Sequence, residues 1–323
     1  QKQLGIPMPR STLWSQIEVL SKSLFPVWEA LVKKAANGNL FFIDDTKVRL
    51  LSLIRENELQ RENKKKRKGM YTTGVLSEVG GGRIVLYFTG RQYSGENLAK
   101  LLEKRTEPGP IAVMSDAMNH NSPKGQLEDI LRYLCLSHGR RQFKDIEEDF
   151  RVESEYVQKL IGKVYKNDDI CKEKNLSAKQ RLAYHQEHSS KPMEELKGWL
   201  DLAFKEKKVE PNSKLGGAVK YMQRHWKGLT SFLRHEGAPL DNNILEQQFR
   251  VSALNKRNWL FYKNSMGALV GDIILSLIKT CDLGEHNAIE YLAALQDNYE
   301  DGAKNPEKWF PWNFKLNLNG NHA

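Results

Sequence analysis

The chain has 323 residues, which is enough for one large domain or two ordinary ones with a sizeable apolar core. Its 50 basic residues outnumber its 40 acidic ones, and the net charge of +10 favours a polyanionic partner, although a solvated basic surface gives the same sum. Three scattered cysteines argue against a disulfide framework, and neither a signal peptide nor an uninterrupted apolar run of about eighteen residues is present. We therefore expect a cytoplasmic protein, neither secreted nor membrane-embedded.

The chain opens with a predicted amphipathic helix. Ser11 fits the N-cap position, and Pro26 is expected to kink or restart the helix before it ends at the Asn37-Gly38 turn. The apolar residues of one face follow at helical spacing: Leu13, Ile17, Leu20 and Leu24. The segment "GIPMPRSTLWSQI" is similar to the turn and second helix of a helix-turn-helix, although any amphipathic helix would look alike.

Strand patterns replace the helical period after this turn. "LFFIDDTKVRLL", from Leu40, is a short apolar run with acids, as expected of a buried strand. "MYTTGVLSE" (Met70–Glu78) and "RIVLYFTG" (Arg83–Gly90) are rich in β-branched and aromatic residues, and the "VGGG" between them predicts a hairpin. A capped helix, "SGENLAKLLEKR", and another buried strand, "GPIAVMSDAM" (Gly109–Met118), complete the pattern of an α/β domain with a mixed sheet.

Helical patterns dominate the middle of the chain. Stripes such as "LEDILRYLCLSHGRRQF" and "LGGAVKYMQRHWKGLTSFL" predict an all-helical insertion, after which the α/β pattern resumes with a helix from Asp241 and a long apolar helix from Ser265 to Asp282. The tail "NPEKWFPWNF" is expected to dock without regular structure. The predicted parts are an N-terminal helical segment (1–37), a first part of the α/β core (38–124), the insertion (125–235), a second part of the core (236–296) and the docking tail (297–323).

Three acids stand out by their position in these elements. Asp44 ends the first predicted strand, Asp116 ends the strand after the hairpin and helix, and Glu246 lies beside the apolar Leu245–Phe249 pair of a later helix. Adjacent strand ends with a helix packed across them would bring the three carboxylates together. Such carboxylates repel one another unless a hard cation binds between them, and a pair of Mg²⁺ or Mn²⁺ ions can promote in-line phosphodiester displacement. Helix capping and ordinary solvation are the alternatives for acids in these positions.

Four blocks of sequence resemble the DDE transposases of bacterial insertion sequences, most closely those of IS family 66. "IDDTKV" is similar to the family's Asp-Glu-Thr-Pro-Val strand, and "LDNNILEQQFR" is similar to its Asp-Asn-Asn-x-x-Glu-Arg-x-x-Arg helix. "CLSHGRRQF" (Cys135–Phe143) and "NKRNWLF" (Asn255–Phe261) are similar to its Cys-x-x-His-x-Arg-Arg-x-Phe element and its Gly-Arg-Lys-Asn-Trp-Leu-Phe stretch. These blocks occur in the family's order and cover nearly the whole chain.

The resemblance implies a ribonuclease-H-like fold that the helical insertion interrupts. It implies that Asp44, Asp116 and Glu246 are the catalytic triad and bind two Mg²⁺ or Mn²⁺ ions. The implied activity is cleavage at transposon ends and transfer of the freed 3′-hydroxyl into target DNA. The implied partner is double-stranded DNA, bound by a homodimer on paired ends in the bacterial cytoplasm, with no membrane and no small-molecule substrate.

The chain departs from the family's pattern at several positions. Asp45 stands where the family usually has Glu, Lys47 replaces Pro, Gln247 replaces Arg and Asn255 replaces Gly. "SDAMNHN" lacks the family's Gly-Tyr after Asp116. Two alternatives therefore stay open: a catalytically inactive DNA-binding or regulatory relative, and a structure-specific nuclease of the same fold.

Basic and aromatic residues near the motifs provide candidates for DNA contacts. The candidates are Arg140, Arg141, Arg250, Lys256, Arg257, Asn258 and Trp259. Basic groups beside Trp259 suit a DNA end with an unpaired base stacked on the indole, while core packing of Trp259 is an equal alternative. Arg140 and Arg141 suit phosphate contacts or simple solvation.

One pair in the helical part has zinc-like spacing. Cys135 and His138 are separated by two residues, and His185 with His188 would complete a set of four ligands. A packed cysteine and a polar histidine are favoured over zinc, because Cys135 lies in an apolar stripe.

Overall fold

A computed structural model describes residues 9–59, 67–121, 123, 130–207, 209–255 and 261–316, without the side chains of residues 250–255. The chain divides into two compact units. The first unit comprises residues 1–111, 120–129 and 245–323, and the second comprises residues 112–119 and 130–244. The chain therefore passes between the units four times, after residues 111, 119, 129 and 244, and the hairpin and the long helical run belong to different units.

The described residues form strands and helices in the following places. The strands are β1 (Leu40–Lys47), β2 (Tyr71–Val79), β3 (Gly82–Gly90), β4 (Ile111–Ser115) and β5 (Ile130–Leu134). The first helices are α1 (Arg10–Ala36), α2 (Leu51–Leu59), α3 (Ser94–Leu102), α4 (Leu136–Lys144), α5 (Arg151–Glu173) and α6 (Ala178–His188). The later helices are α7 (Ser190–Lys205), α8 (Lys214–Leu229), α9 (Asn243–Asn255), α10 (Ser265–Leu283), α11 (Ala288–Asp297) and α12 (Tyr299–Lys304). The strands form a mixed sheet in the order β3-β2-β1-β4-β5, so the α/β class is confirmed.

The predicted hairpin is confirmed as β2 and β3. The two strands pair antiparallel from Tyr71↔Gly90 to Val79↔Gly82. Gly80 and Gly81 connect them with φ angles of 59° and 79°. Both values lie in the left-handed region, which glycine enters without steric cost, and two such residues match the twist of the flanking strands.

Helix α10 covers the outer edge of β3 with side-chain hydrogen-bond acceptors. The backbone N–H groups of Val85, Tyr87 and Thr89 donate to side-chain oxygens of Thr280, Ser276 and Asp272, at 3.1, 3.0 and 2.7 Å. Four residues of helix rise about 6 Å and two residues of strand rise about 6.8 Å, so the two series stay in step. The helix thus satisfies an edge that would otherwise be open to pairing with another strand. The predicted helix from Ser265 to Asp282 is confirmed.

Helix α1 differs from its prediction in its first half. It runs unbroken through Pro26, and its N-cap residue is Pro9, where Ser11 was predicted. Leu13 and Ile17 are 37% and 41% exposed, so the predicted inward face is wrong there. Burial is confined to the later turns: Ser21, Leu24, Val27, Leu31, Val32, Ala35 and Ala36. Helix α1 packs on α10, α11 and α12 within the first unit. The turn predicted before this helix falls mainly on residues outside the described ranges.

Among the residues that the structure describes, the predicted all-helical insertion opens with a strand. Residues Ile130–Leu134 form β5, with Tyr133 and Leu134 buried, and the helical prediction is wrong at this point. The segment "ILRYL" is too short to separate the two periods, and its branched and aromatic residues favour a strand. The helical prediction is confirmed beyond it by α4 to α8.

The tail segment "NPEKWFPWNF" packs within the first unit, and Pro306–Trp309 forms a short 3-10 turn where no regular structure was expected. Trp309 is fully buried, and its indole N–H donates to Asp301 Oδ2 at 2.7 Å. The Tyr291 hydroxyl donates to the carbonyl of Trp309 at 2.8 Å. These bonds and the buried ring of Phe314 hold the tail in place.

The three cysteines are buried, and none of them forms a disulfide. No helix in the described ranges is both long and apolar enough to cross a membrane.

Candidate active site

Three strands of the first unit align Asp44 with a glycine and a tyrosine. The register pairs Asp44 with Gly74 on β2, and Gly74 with Tyr87 on β3. Directly paired residues of antiparallel strands point to the same face of the sheet. Asp44 and Tyr87 therefore share one face, with the bare backbone of Gly74 between them.

Helix α9 packs on this face at Gly74. A Cβ placed on Gly74 would lie 2.5 Å from the Phe249 ring and 3.2 Å from Leu245 Cδ1, so the helix approaches the strand more closely than any side chain would allow. The Tyr87 ring meets the Phe249 ring edge-on, with centroids 5.7 Å apart. Its hydroxyl donates to the carbonyl of Gln248 at 3.1 Å. The predicted inward pair Leu245–Phe249 is confirmed, since both side chains are buried.

Glu246 follows Leu245 on this helix and is half-buried. Successive helical residues are about 100° apart, so Glu246 and Gln248 lie on opposite flanks of the Leu245–Phe249 stripe. The carbonyl of Gln248 is bonded to Tyr87 on β3. Glu246 therefore occupies the flank opposite the one bonded to β3.

Asp45 points to the other face of the sheet. Its Oδ1 accepts a hydrogen bond from the Thr73 hydroxyl at 2.5 Å, and its Oδ2 accepts one from the Ser94 backbone N–H at the start of α3, at 2.8 Å. Burial raises the pKa of Asp45, and these hydrogen bonds only partly oppose the rise. The two adjacent acids thus differ: Asp44 faces α9, and Asp45 anchors α3.

Asp116 lies in the second unit, directly after β4, as predicted. It is half-buried, and its Oδ1 accepts a hydrogen bond from the Met118 backbone N–H at 3.0 Å. Within this unit, burial chiefly raises the pKa of Tyr221 to about 12, and the charge of Asp116 adds to the rise. Burial lowers the pKa of Arg132, and the charge of Asp116 opposes that effect. Asp116 therefore has a tyrosine and an arginine in its surroundings.

The predicted DNA-binding residues are described in part. Arg140 and Arg141 are exposed on α4. Arg250 belongs to α9, and its side chain lies outside the described part of the structure. Lys256, Arg257, Asn258 and Trp259 also lie outside it.

A buried Ser-His-Asp arrangement occurs in the second unit. His185 lies 2.9 Å from Ser189 Oγ through Nδ1 and 3.2 Å from Asp168 Oδ1 through Nε2. Burial raises the pKa of Asp168, but hydrogen bonds from His185 and Lys172 and the charge of Arg181 outweigh it and hold the pKa well below its usual range. Ser189 is fully buried, so no substrate reaches the hydroxyl, and the arrangement joins helices α5, α6 and α7.

The hydrogen bonds of His185 also argue against a zinc site formed by Cys135, His138, His185 and His188. Cys135 Sγ and a ring nitrogen of His138 lie within 4.8 Å of each other. Both ring nitrogens of His185 are engaged by Ser189 and Asp168, and among the described residues His185 does not join the other two.

Comparison with known proteins places the chain in a family. The family model described as "Transposase IS66 family" matches residues 1–269 of the 323. The chain belongs to the IS66 transposase family. The match includes Asp44, Asp116 and Glu246, the whole second unit, and the first unit as far as residue 269.

Three relatives from Sinorhizobium fredii are similar to this IS66 chain, and each is titled an uncharacterized protein. The protein y4hP is 26% identical over 308 residues, covering 90% of this chain and 53% of y4hP. The protein y4jD is 29% identical over 194 residues, covering 58% of this chain and 37% of y4jD. The protein y4qI is 26% identical over 196 residues, covering 59% and 35%. The chain thus spans about half, or less, of the length of these relatives.

Gly74 was not among the predicted site residues. A glycine inside a strand often marks a close approach by another element, and "TTGVL" carries that signal. Recognising it would have identified β2 as the strand that α9 crosses.

Proposed function

We propose that this IS66 family member is a metal-dependent DNA transposase that cleaves transposon ends and transfers the 3′-hydroxyl to target DNA. Asp44, Asp116 and Glu246 are its catalytic carboxylates, and its sheet is ribonuclease-H-like. The family membership supports transposition as the biological role. The local geometry of the first unit supports the chemistry.

The packing of α9 at Gly74, the residue of β2 that pairs with Asp44, carries this proposal. The helix lies against the sheet at Gly74, the residue paired with Asp44, on the face to which Asp44 points. Glu246 lies on the helix flank opposite the one bonded to β3, and β1 lies on the other side of β2 from β3. This packing supports the proposal that Glu246 faces β1, the strand that carries Asp44.

The donor set fits a hard divalent cation. Asp44 and Glu246 offer carboxylate oxygens from half-buried positions, and Mg²⁺ or Mn²⁺ prefers such ligands together with retained waters. Bound ions would supply an activated hydroxyl and stabilise the leaving oxygen of the phosphodiester. The chain's own contribution is to fix the carboxylates: the β1–β2 ladder holds Asp44, and the Phe249 contact with Tyr87 holds α9. Asp116 would contribute the remaining carboxylate.

The partners follow from the same proposal. The net charge of +10 favours DNA, and Arg140 and Arg141, exposed on α4, are proposed phosphate contacts. A homodimer on paired ends would bring two transposon ends together. The stretch Lys256–Trp259 remains a proposed contact with the DNA end.

Strand transfer by matched carboxylate variants tests the proposal. We expect Asp44→Asn and Glu246→Gln to lower the rate by about a hundredfold or more, since each removes a ligand that stabilises charge in the transition state. Asp45→Asn is the control, because it makes the same chemical change one residue away on the opposite face. It should cost about 1 kcal/mol of stability through the weakened α3 anchor and keep the activity.

The assay uses duplexes that carry the terminal sequences flanking the gene, with Mg²⁺, and resolves nicking from joining. Equal activity of Asp44→Asn and the parent, with the same melting temperature, would refute the proposed site. Hydrolysis without joining would identify a nuclease. Salt-sensitive DNA binding without any metal-dependent cleavage would identify an inactive, regulatory relative.

A further inference from the structure

The second unit contains a cavity lined with cations. It has a volume of about 430 Å³ and lies among β5, the last turns of α8 and the 3-10 turn at Ser231–Leu233. Four permanently charged side chains line it: Arg132, Arg224, Lys227 and Arg234. No aspartate or glutamate is among its described lining residues.

A close approach of strand and helix brings these cations together. A Cβ on Gly228 would lie 2.6 Å from Leu134 Cδ1, so only glycine lets α8 come this near to β5. Arg132 precedes Leu134 by two residues and therefore lies on the same face of the strand. Arg224 and Lys227 are three residues apart on α8 and are neighbours on the helix surface.

The cations are accessible, and one of them is held in place. All four of these residues are exposed. Within the part of the chain that the structure describes, Arg132, Arg224, Lys227 and Arg234 form no ion pair with a carboxylate. The guanidinium of Arg234 donates to Thr230 Oγ1 at 2.9 Å and also to the carbonyl of Lys227. A fixed fork of N–H groups suits phosphate oxygens.

The pKa values of two histidines in the lining are lowered in part by the surrounding cations. Burial chiefly lowers the pKa of His225, and the charges of Arg224 and Arg132 lower it further. Burial also lowers the pKa of His235, together with the charges of Arg234 and Lys227. Cations from both β5 and α8 therefore act on the same space, which would attract an anion.

The cavity lies beside Asp116. Ala117 and Asn119, which follow Asp116 in the chain, are part of its lining, and the charge of Asp116 acts on Arg132. We propose that this cavity binds the phosphodiester backbone of a DNA strand and positions that strand next to Asp116. The inference rests on the proposed function, since that function makes Asp116 a catalytic ligand. Arg132, Arg224, Lys227 and Arg234 are positioning residues, and none of them was identified from the sequence.

Salt-dependent DNA binding by two matched double variants tests the cavity. One variant carries Arg224→Gln and Lys227→Gln. The control carries Lys163→Gln and Lys166→Gln, which removes the same charge from two exposed residues, also three apart, on α5 of the same unit. Fluorescence anisotropy with labelled duplex DNA, in EDTA and between about 50 and 200 mM salt, measures affinity without requiring catalysis.

We expect the cavity variant to bind DNA at least about tenfold more weakly and to lower the slope of log K against log salt by about two, one for each lost phosphate contact. The control should retain the parent slope within about half a unit. Equal behaviour of the two variants, with both folded by circular dichroism, would overturn the proposal. So would calorimetry showing that inorganic pyrophosphate binds the parent but not the cavity variant, while DNA affinity is unchanged, because the occupant would then be a free phosphate compound.

The proposed cavity and the proposed catalytic site can be refuted independently of each other. Loss of DNA binding in the cavity variant, in a chain whose Asp44→Asn variant still transfers strands, would leave the cavity established and the catalytic site refuted. Retained DNA binding in the cavity variant, in a chain that loses strand transfer with Asp44→Asn, would refute only the cavity.

Discussion

Substitution of Gly74 by alanine tests the contact on which the active-site geometry depends. The added methyl would lie 2.5 Å and 2.9 Å from two carbons of the Phe249 ring and 3.2 Å from Leu245. An ordinary contact between carbons is about 3.5–4.0 Å, so α9 must retreat by roughly 1 Å or the ring must leave its position. Overpacking of this kind costs about 1–3 kcal/mol. We therefore expect Gly74→Ala to lower the free energy of unfolding by that amount.

The catalytic effect should be larger than the stability effect. A shift of about 1 Å between catalytic groups costs about a hundredfold in rate. Retreat of α9 would move Glu246 away from the sheet at the position of Asp44 and Gly74. The rate of strand transfer should therefore fall about a hundredfold at a temperature where the variant is folded. Urea denaturation gives the stability, and single-turnover strand transfer with Mg²⁺ gives the rate.

Two further variants separate this mechanism from general damage. Gly198→Ala adds a methyl where no atom lies within 4 Å, in α7, and should leave stability unchanged or raise it by up to about 1 kcal/mol. Phe249→Leu should restore part of the stability when combined with Gly74→Ala, because the smaller side chain leaves room for the methyl. Full stability and full activity of Gly74→Ala alone would refute the packing of α9 at this strand.

Three other predictions concern the scaffold. Burial raises the pKa of Asp272 to about 7, so the stability it contributes is fully present below its unfolded pKa of about 4 and is lost as the pH rises through about 7; Asp272→Asn should therefore melt higher than the parent at pH 8, by a margin that shrinks as the pH falls toward about 4. The depressed pKa of Asp168 gives stability that is present at neutral pH and is lost as the pH falls below about 4; Asp168→Asn should cost about 3 kcal/mol at pH 7, and an unchanged melting curve would contradict the His185 network. Trp309→Ala should cost about 3–5 kcal/mol in urea denaturation, and a smaller loss than about 1 kcal/mol would show that the tail does not dock.

Elements with strong local signals could be predicted from the sequence. The hairpin was predictable because Gly80 and Gly81 favour its turn and the flanking strands are rich in branched residues. The long helix α10 was predictable because its apolar stretch is much longer than an ordinary strand. Strand β5 was not, because Ile130–Leu134 runs straight into a helix and a few residues do not define a period.

The packing partners of each element could not be predicted from local signals. The spacing of Leu13 and Ile17 indicated a helix correctly, but which turns of α1 are buried depends on where α10, α11 and α12 lie. Asp44 was preferred to Asp45 for its predicted place at the end of the first strand and from family resemblance, but β1 continues to Lys47, so the predicted strand end is wrong. The structure shows a physical difference between them, because strand alternation places them on opposite faces, with α9 on one side and α3 on the other. The sequence around Asp44 and Asp45 does not indicate that α9 packs on one face and α3 on the other.

A crystal structure of the protein soaked in Mn²⁺, with the ions located by anomalous diffraction, tests the central claim most directly. We predict ions bound by carboxylate oxygens of Asp44, Asp116 and Glu246 together, at about 2.0–2.2 Å, with waters completing the coordination. Ions bound elsewhere, or bound at Asp44 with Asp116 or Glu246 remote from them, would contradict it.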